Sequence, residues 1–72
     1  MNIKEISRRM DKKQTYKWGC SPSDLYTLFN AMSGKMIIQT NEHLTAEIIT
    51  KKLRGKGFNI IGDVPAMKDL RD

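Results

Sequence analysis

Two short stretches of the chain carry most of its positively charged side chains, and these are the residues best suited to contact a partner. Residues 1–18 have a net charge of +4 and residues 45–57 a net charge of +3, whereas residues 19–44 and 58–72 are each −1. Clustered cations create a local field that attracts a polyanion such as DNA or RNA, or an acidic protein surface. The pattern predicts phosphate contacts from Arg8, Arg9, Lys12, Lys13, Lys17, Lys51, Lys52, Arg54 and Lys56.

Two aromatic residues within the first basic stretch predict a second kind of contact. Tyr16 and Trp18 follow Lys12 and Lys13 closely in the chain. A nucleic-acid base can stack on an exposed ring while neighbouring cations hold the phosphates. We therefore predict Tyr16 and Trp18 as stacking residues. The alternative is that Trp18 anchors the hydrophobic core, because a large aromatic side chain in so small a domain is usually buried.

The sequence gives little indication of a catalytic site or a metal-binding site. Cys20 is the only cysteine and His43 the only histidine, so no disulfide can form within the chain and a four-ligand zinc site lacks its ligands. A Cys–His pair needs a third, orienting residue, and the acidic residues are not paired at metal-binding spacing. We predict that the protein is not an enzyme and has no catalytic residue, metal or cofactor.

Three helices are predicted to position these side chains. Asn2 and Glu5 have the spacing of a helix start, which predicts a helix over roughly residues 3–12. Apolar side chains predict another over roughly 45–54, ended by Gly55 and Gly57, although glycines beside cations also let backbone amides approach a phosphate. A third is predicted over 22–33 with Gly34 as its left-handed end, because apolar side chains recur at helical spacing at Leu25, Leu28, Phe29 and Met32.

Two strands complete the predicted fold. Residues 35–40 and 58–61 are short and rich in β-branched side chains, and a last helical turn is predicted over 65–70. The predicted class is α+β, with three to four short helices packed on a minimal two-stranded sheet in the order α-α-β-α-β-α. Residues 1–72 form one small basic domain, and so small a core makes a homodimer possible. The apolar runs are too short for a membrane span, which favours a cytoplasmic protein.

Parts of the chain match two families of nucleic-acid-binding module incompletely. Lys56, Gly57 and Phe58 match the basic-glycine-aromatic start of the ribonucleoprotein octamer, but its later aromatic positions fall at Ile60 and Asp63, so no family is assigned. A helix-turn-helix or winged domain needs a second helix directly after a short turn. An apolar, strand-like run follows residues 22–33 instead, so this module stays a minor alternative.

The charge pattern therefore predicts a non-catalytic nucleic-acid-binding module that contacts mainly the phosphate backbone of DNA or RNA, with weak sequence specificity. The alternative is a small regulatory protein, an inhibitor or adaptor that docks on an acidic surface of a polymerase, nuclease or ribosome-associated factor. Such a protein would use an apolar anchor ringed by charges, and Met10 and Tyr26 are the predicted protein-contact residues.

Overall fold

The computed structural model describes residues 2–20 and 25–65, in which two helices cover one face of a four-stranded sheet. The elements follow one another as α1 (Ile3–Arg8), β1 (Thr15–Cys20), β2 (Tyr26–Asn30), β3 (Met36–Thr40), α2 (His43–Gly55) and β4 (Asn59–Ile61). Asn2 caps α1, because its side-chain oxygen accepts a hydrogen bond from the amide of Lys4 at 2.8 Å.

The sheet is mixed, and its strand order is β3-β2-β1-β4. β1 pairs with β2 and β2 with β3 in antiparallel fashion, whereas β4 lies parallel to β1 at the opposite edge from β3. Consequently β1, β3 and β4 all begin at the same end of the sheet, where β2 ends. α2 runs from the end of β3 to the start of β4, so its last turn also lies at that end.

The core lies between the sheet and the two helices. Alternate residues of β1, Tyr16 and Trp18, are buried, while Lys17 between them is exposed on the other face. The indole N–H of Trp18 donates to the hydroxyl of Thr50 at 2.6 Å, and that hydroxyl donates to the carbonyl of Ala46 at 2.8 Å. Both buried polar groups are therefore satisfied, which fixes α2 across the sheet.

The predicted helix over 22–33 is wrong, since residues 26–30 form strand β2. Tyr26, Leu28 and Asn30 are buried, which is the period-two pattern of a strand. Met32, part of the apolar side of that predicted helix, is among the most exposed side chains because it lies in the turn of the β2–β3 hairpin. Gly34 does adopt the left-handed conformation, with φ of 76°, but in this hairpin turn and not at a helix end.

The predicted architecture is wrong as well. The chain is α+β, but it has four strands and two helices in place of two strands and three to four helices. No strand was predicted over residues 15–20, where β1 lies. The strands predicted over 35–40 and 58–61 are present as β3 and β4, and the helix predicted over 45–54 is present as α2. The helix predicted over 3–12 is present as α1 but ends at Arg8. Most of the helical turn predicted over 65–70 lies outside the described residues.

Candidate nucleic-acid interface

The topology collects exposed cations from five parts of the chain at one end of the sheet. The last turns of α1 and α2, the α1–β1 connection, the β2–β3 hairpin and the α2–β4 turn all lie there, because β1, β3 and β4 begin and β2 ends at this end. We call this surface the basic end, and it comprises Arg8, Lys12, Lys13, Lys35, Lys52 and Lys56, all of them exposed.

Direct contacts show that the two basic stretches of the sequence meet at this end. The Nζ atom of Lys12 lies 5.7 Å from the centroid of the Phe58 ring, within the range of a cation–π contact. The Lys12 side chain also passes Gly57, where a Cβ atom would lie 3.9 Å from it. Gly57 has a φ of 99°, which favours glycine, so the turn can fold tightly beneath the lysine.

The β2–β3 hairpin is joined to the same end by hydrogen bonds. The amide of Ala31 donates to the carbonyl of Thr15 at 2.8 Å, and the side-chain amide of Asn30 donates to that of Gln14 at 3.3 Å. These bonds hold the hairpin against the α1–β1 connection, which carries Lys12 and Lys13. Lys35 therefore joins the basic end from a part of the sequence whose own net charge is negative.

Little negative charge offsets these cations. Within residues 2–20 and 25–65, no lysine or arginine lies in an ion pair, and the one such pair is between His43 and Glu47, 3.3 Å apart. Glu42, Glu47 and Asp63 lie toward the opposite end, where α2 begins and β4 ends. Asp11 is the acidic residue of the basic end, and its side chain accepts the Lys13 amide at 2.8 Å, which shapes the connection.

Two predicted phosphate contacts, Arg9 and Arg54, bind instead to the edges of the sheet. Arg9 donates to the carbonyl of Ile37 in edge strand β3 at 3.1 Å. Arg54 donates to the carbonyl of Ile60 in edge strand β4 at 2.6 and 3.1 Å, and to that of Gly62 at 2.7 Å. Exposed strand edges invite pairing with other chains, so we assign both arginines a role in covering these edges.

Lys17 and Lys51 lie away from the basic end. Lys17 is in β1 on the face of the sheet opposite the helices, with its Nζ atom 5.5 Å from the centroid of the Phe29 ring. Lys51 lines a shallow groove together with Glu47 and Asp63, whose negative charges reduce its attraction for a polyanion.

The aromatic and apolar residues predicted to contact a partner are buried. Tyr16 and Trp18 leave no open ring face for a base, and the Tyr16 hydroxyl accepts the Asp11 amide at 2.7 Å. Met10 and Tyr26, the predicted anchors for a protein partner, also lie in the core, where the Tyr26 ring packs edge-on against His43 with centroids 5.3 Å apart. All four side chains stabilise the fold, so none of these contact roles is carried forward.

The glycine-containing turn after α2 does not provide backbone amides for a phosphate. The amides of Lys56, Gly57 and Phe58 all donate to carbonyls in the last turn of α2, at 3.0–3.2 Å. A phosphate would have to compete with these hydrogen bonds. Contacts in this region therefore depend on the lysine side chains, and Gly57 serves the turn itself.

The described residues give no indication of a metal site or of a membrane-spanning helix. Residues 2–20 and 25–65 contain no group of three histidine, cysteine, aspartate or glutamate side chains that could hold a metal ion. None of the helices in this part of the chain is long and apolar enough to cross a membrane. No protein-family model, curated protein or solved structure matches the chain.

Proposed function

We propose that this protein is a non-catalytic nucleic-acid-binding module that contacts phosphates through its basic end. The observation that carries the proposal is the convergence of cations from five parts of the chain on one surface, with no carboxylate paired to any of them among the described residues. These cations lie on flexible side chains of several elements, an arrangement that suits an extended charged backbone better than a compact ligand.

The same surface argues for weak sequence specificity. Five of its six side chains are lysines, which act as point charges and do not present the fixed fork with which arginine reads a guanine. Contacts to phosphates fix position and supply affinity, but they carry no sequence information directly. Binding to DNA or RNA then depends on charge and strand type. A cytoplasmic location, predicted from the sequence, is compatible with this function.

A protein partner is the second candidate because α2 exposes two apolar side chains. Leu44 is 67% exposed and Ile48 is 45% exposed, and they lie one turn apart on the helix. An inhibitor or adaptor could use them as anchors in place of the buried Met10 and Tyr26, with the basic end against an acidic surface. The two candidates separate experimentally, since only the first requires the isolated protein to bind oligonucleotides.

The test is a titration of labelled DNA and RNA oligonucleotides, single-stranded and duplex, between roughly 50 and 200 mM salt. Six phosphate contacts on duplex DNA give a slope of about −5 in a plot of log affinity against log salt. The double variant Lys13→Gln/Lys56→Gln should reduce the magnitude of that slope by about 2. Neither side chain makes a hydrogen bond, ion pair or ring contact in the described structure, so the fold is expected to survive.

The matched control is Lys4→Gln/Lys51→Gln, which removes the same charge from positions outside the basic end. Its slope should stay close to that of the unmodified protein. Equal losses in the two double variants would show that only net charge matters, and would overturn the assignment of the basic end. If the unmodified protein bound none of the oligonucleotides even at low salt, the proposed function would fail and the acidic-protein candidate would replace it.

A further inference from the structure

No described element covers the face of the sheet opposite the helices, and one row of side chains crosses all four strands there. Met36, Phe29, Lys17 and Ile61 occupy successive register positions on β3, β2, β1 and β4. Met36 and Ile61 are 53% and 47% exposed. We call this surface the open face. It is the only face of the sheet that the described helices leave uncovered.

Phe29 is distinguished from every other aromatic residue of the chain by its position on the open face. The other four, Tyr16, Trp18, Tyr26 and Phe58, are buried, whereas Phe29 is half-buried. Gly19, its diagonal neighbour on β1, makes room for the ring, because a Cβ atom there would lie only 3.0 Å from Cε1 of Phe29. Glycine at position 19 therefore provides the space that the Phe29 ring occupies at the surface.

Lys17 places a cation next to this ring. Its Nζ atom is 5.5 Å from the ring centroid, and no carboxylate holds it there. The long stem of the side chain allows the ammonium group to move from the ring to a phosphate. Such a pair offers both a surface for stacking and a charge for the adjoining phosphate, which is how proteins bind single strands without reading their sequence.

Polar side chains flank the row on both sides. The Gln39 amide donates to the Thr27 hydroxyl at 3.0 Å, and the Asn59 amide donates to the Thr15 hydroxyl at 3.0 Å. Each amide keeps hydrogen-bonding capacity for the edge of a base. None of the outward-facing residues of the described strands is acidic, so the open face complements a polyanion and would not repel it.

A shallow groove on the open face reaches the β2–β3 hairpin turn, which carries one cation of the basic end. Its lining includes Phe29, Thr27, Met36 and Gly34 of the hairpin turn, and it extends along β1 to Gly19 and Cys20. Lys35 of the basic end lies between Gly34 and Met36 in the chain. A single strand whose phosphates contact the basic end can therefore continue into the groove, whereas the stacked base pairs of a duplex present no ring face to Phe29.

We infer that the open face binds single-stranded nucleic acid, with one base stacked on Phe29 and the adjoining phosphate contacted by Lys17. This inference rests on the proposed function and adds to it the strand type and the ring that receives the base. The charge of the face favours this occupant over a second copy of the protein, because two copies of a basic chain repel each other.

The test compares single-stranded and duplex oligonucleotides on matched variants. Phe29→Leu keeps an apolar side chain but removes the ring, and should weaken single-strand binding about tenfold while leaving duplex affinity unchanged. Ile61→Ala is the control on the same face and should change neither affinity. Phe29→Trp should retain single-strand binding. The new tryptophan adds fluorescence that a stacked base would quench, while the emission of the buried Trp18 stays constant.

Each outcome decides a different point. Single-strand binding that is equal in the unmodified protein, Phe29→Leu and Ile61→Ala, with no quenching in Phe29→Trp, would overturn the stacking role and leave the basic end intact. Loss of both single-strand and duplex binding in Phe29→Leu, with an unchanged circular dichroism spectrum, would also overturn it. A dimer in sedimentation that Phe29→Leu dissociates would assign the open face to a second copy. No binding to any oligonucleotide would remove the proposed function itself.

Discussion

The two faces of the sheet are built from the same strands, yet they differ in almost every physical property. The covered face holds Tyr16, Trp18 and Leu28 in contact with the helices, whereas the open face carries Lys17 and Phe29 from the same two strands. One-residue alternation therefore separates the side chains that hold the fold from those available to a partner. It follows that substitutions on the two faces should affect different measurements.

The largest effect on stability is expected from Leu28→Ala on the covered face. Leu28 is fully buried, so its truncation loses transfer free energy and leaves a cavity, at a cost of about 3 kcal/mol in the free energy of unfolding. Urea unfolding followed by Trp18 fluorescence measures this loss. The neighbouring Phe29→Leu on the open face should lower stability by less than half as much. Similar losses at both positions would show that the open face is buried in solution.

A smaller effect is expected from Thr50→Val, which keeps the shape of the side chain but removes the acceptor of the Trp18 indole. The buried N–H would then lack a partner, at a cost of about 2 kcal/mol. Thr45→Val is a suitable control because the Thr45 hydroxyl makes only an exposed contact, with Glu42. Urea unfolding should separate the two variants clearly. Equal stabilities would mean that the indole finds another acceptor.

The cations show the same division between structure and binding. Arg54→Gln removes three hydrogen bonds to carbonyls of β4 and the following residue, and should lower the free energy of unfolding by about 1 to 2 kcal/mol. Its effect on the salt slope of oligonucleotide binding should be small. Lys56→Gln should do the reverse, with unchanged stability and a slope reduced in magnitude by about 1. A larger slope change for Arg54→Gln would mean that this arginine contacts phosphates.

Local patterns predicted β3, β4 and α2, but they could not predict the sheet as a whole. In and around β2, Leu25, Leu28, Phe29 and Met32 fit helical spacing, while Tyr26, Leu28 and Asn30 within the strand fit a strand pattern. Pairing with β1 and β3 decided between them, and such pairing is not visible in a local window. β1 was detectable, since Tyr16 and Trp18 alternate with Lys17. The β-branched and aromatic residues there favour a strand, and the basic charge around them does not argue against one.

The candidate site was predictable only in part, for a related reason. Charge clustering identified most cations of the basic end, but Lys35 belongs to a stretch with a net negative charge and joins the others only through the hairpin. Likewise, no sequence pattern distinguishes Arg9 and Arg54, which bind strand carbonyls, from the exposed lysines. The sequence pattern placed Phe29 on the apolar side of a predicted helix. Its exposure depends on which face of β2 the helices cover.

The smallest expected effect concerns Gly19→Ala, which tests how the open face accommodates the Phe29 ring. The new Cβ atom would lie 3.0 Å from Cε1 of the ring, so the ring must shift by a few tenths of an ångström. Because the ring is half-buried, it can move toward solvent, and stability should change by less than about 1 kcal/mol. Single-strand affinity should fall a few-fold, since the ring and Lys17 no longer keep their spacing. Gly55→Ala, where no atom lies near the added carbon, is the matched control. If the NMR chemical shifts of the Phe29 ring showed that the ring had moved in Gly19→Ala while single-strand affinity was unchanged, the position of Phe29 would not matter for binding.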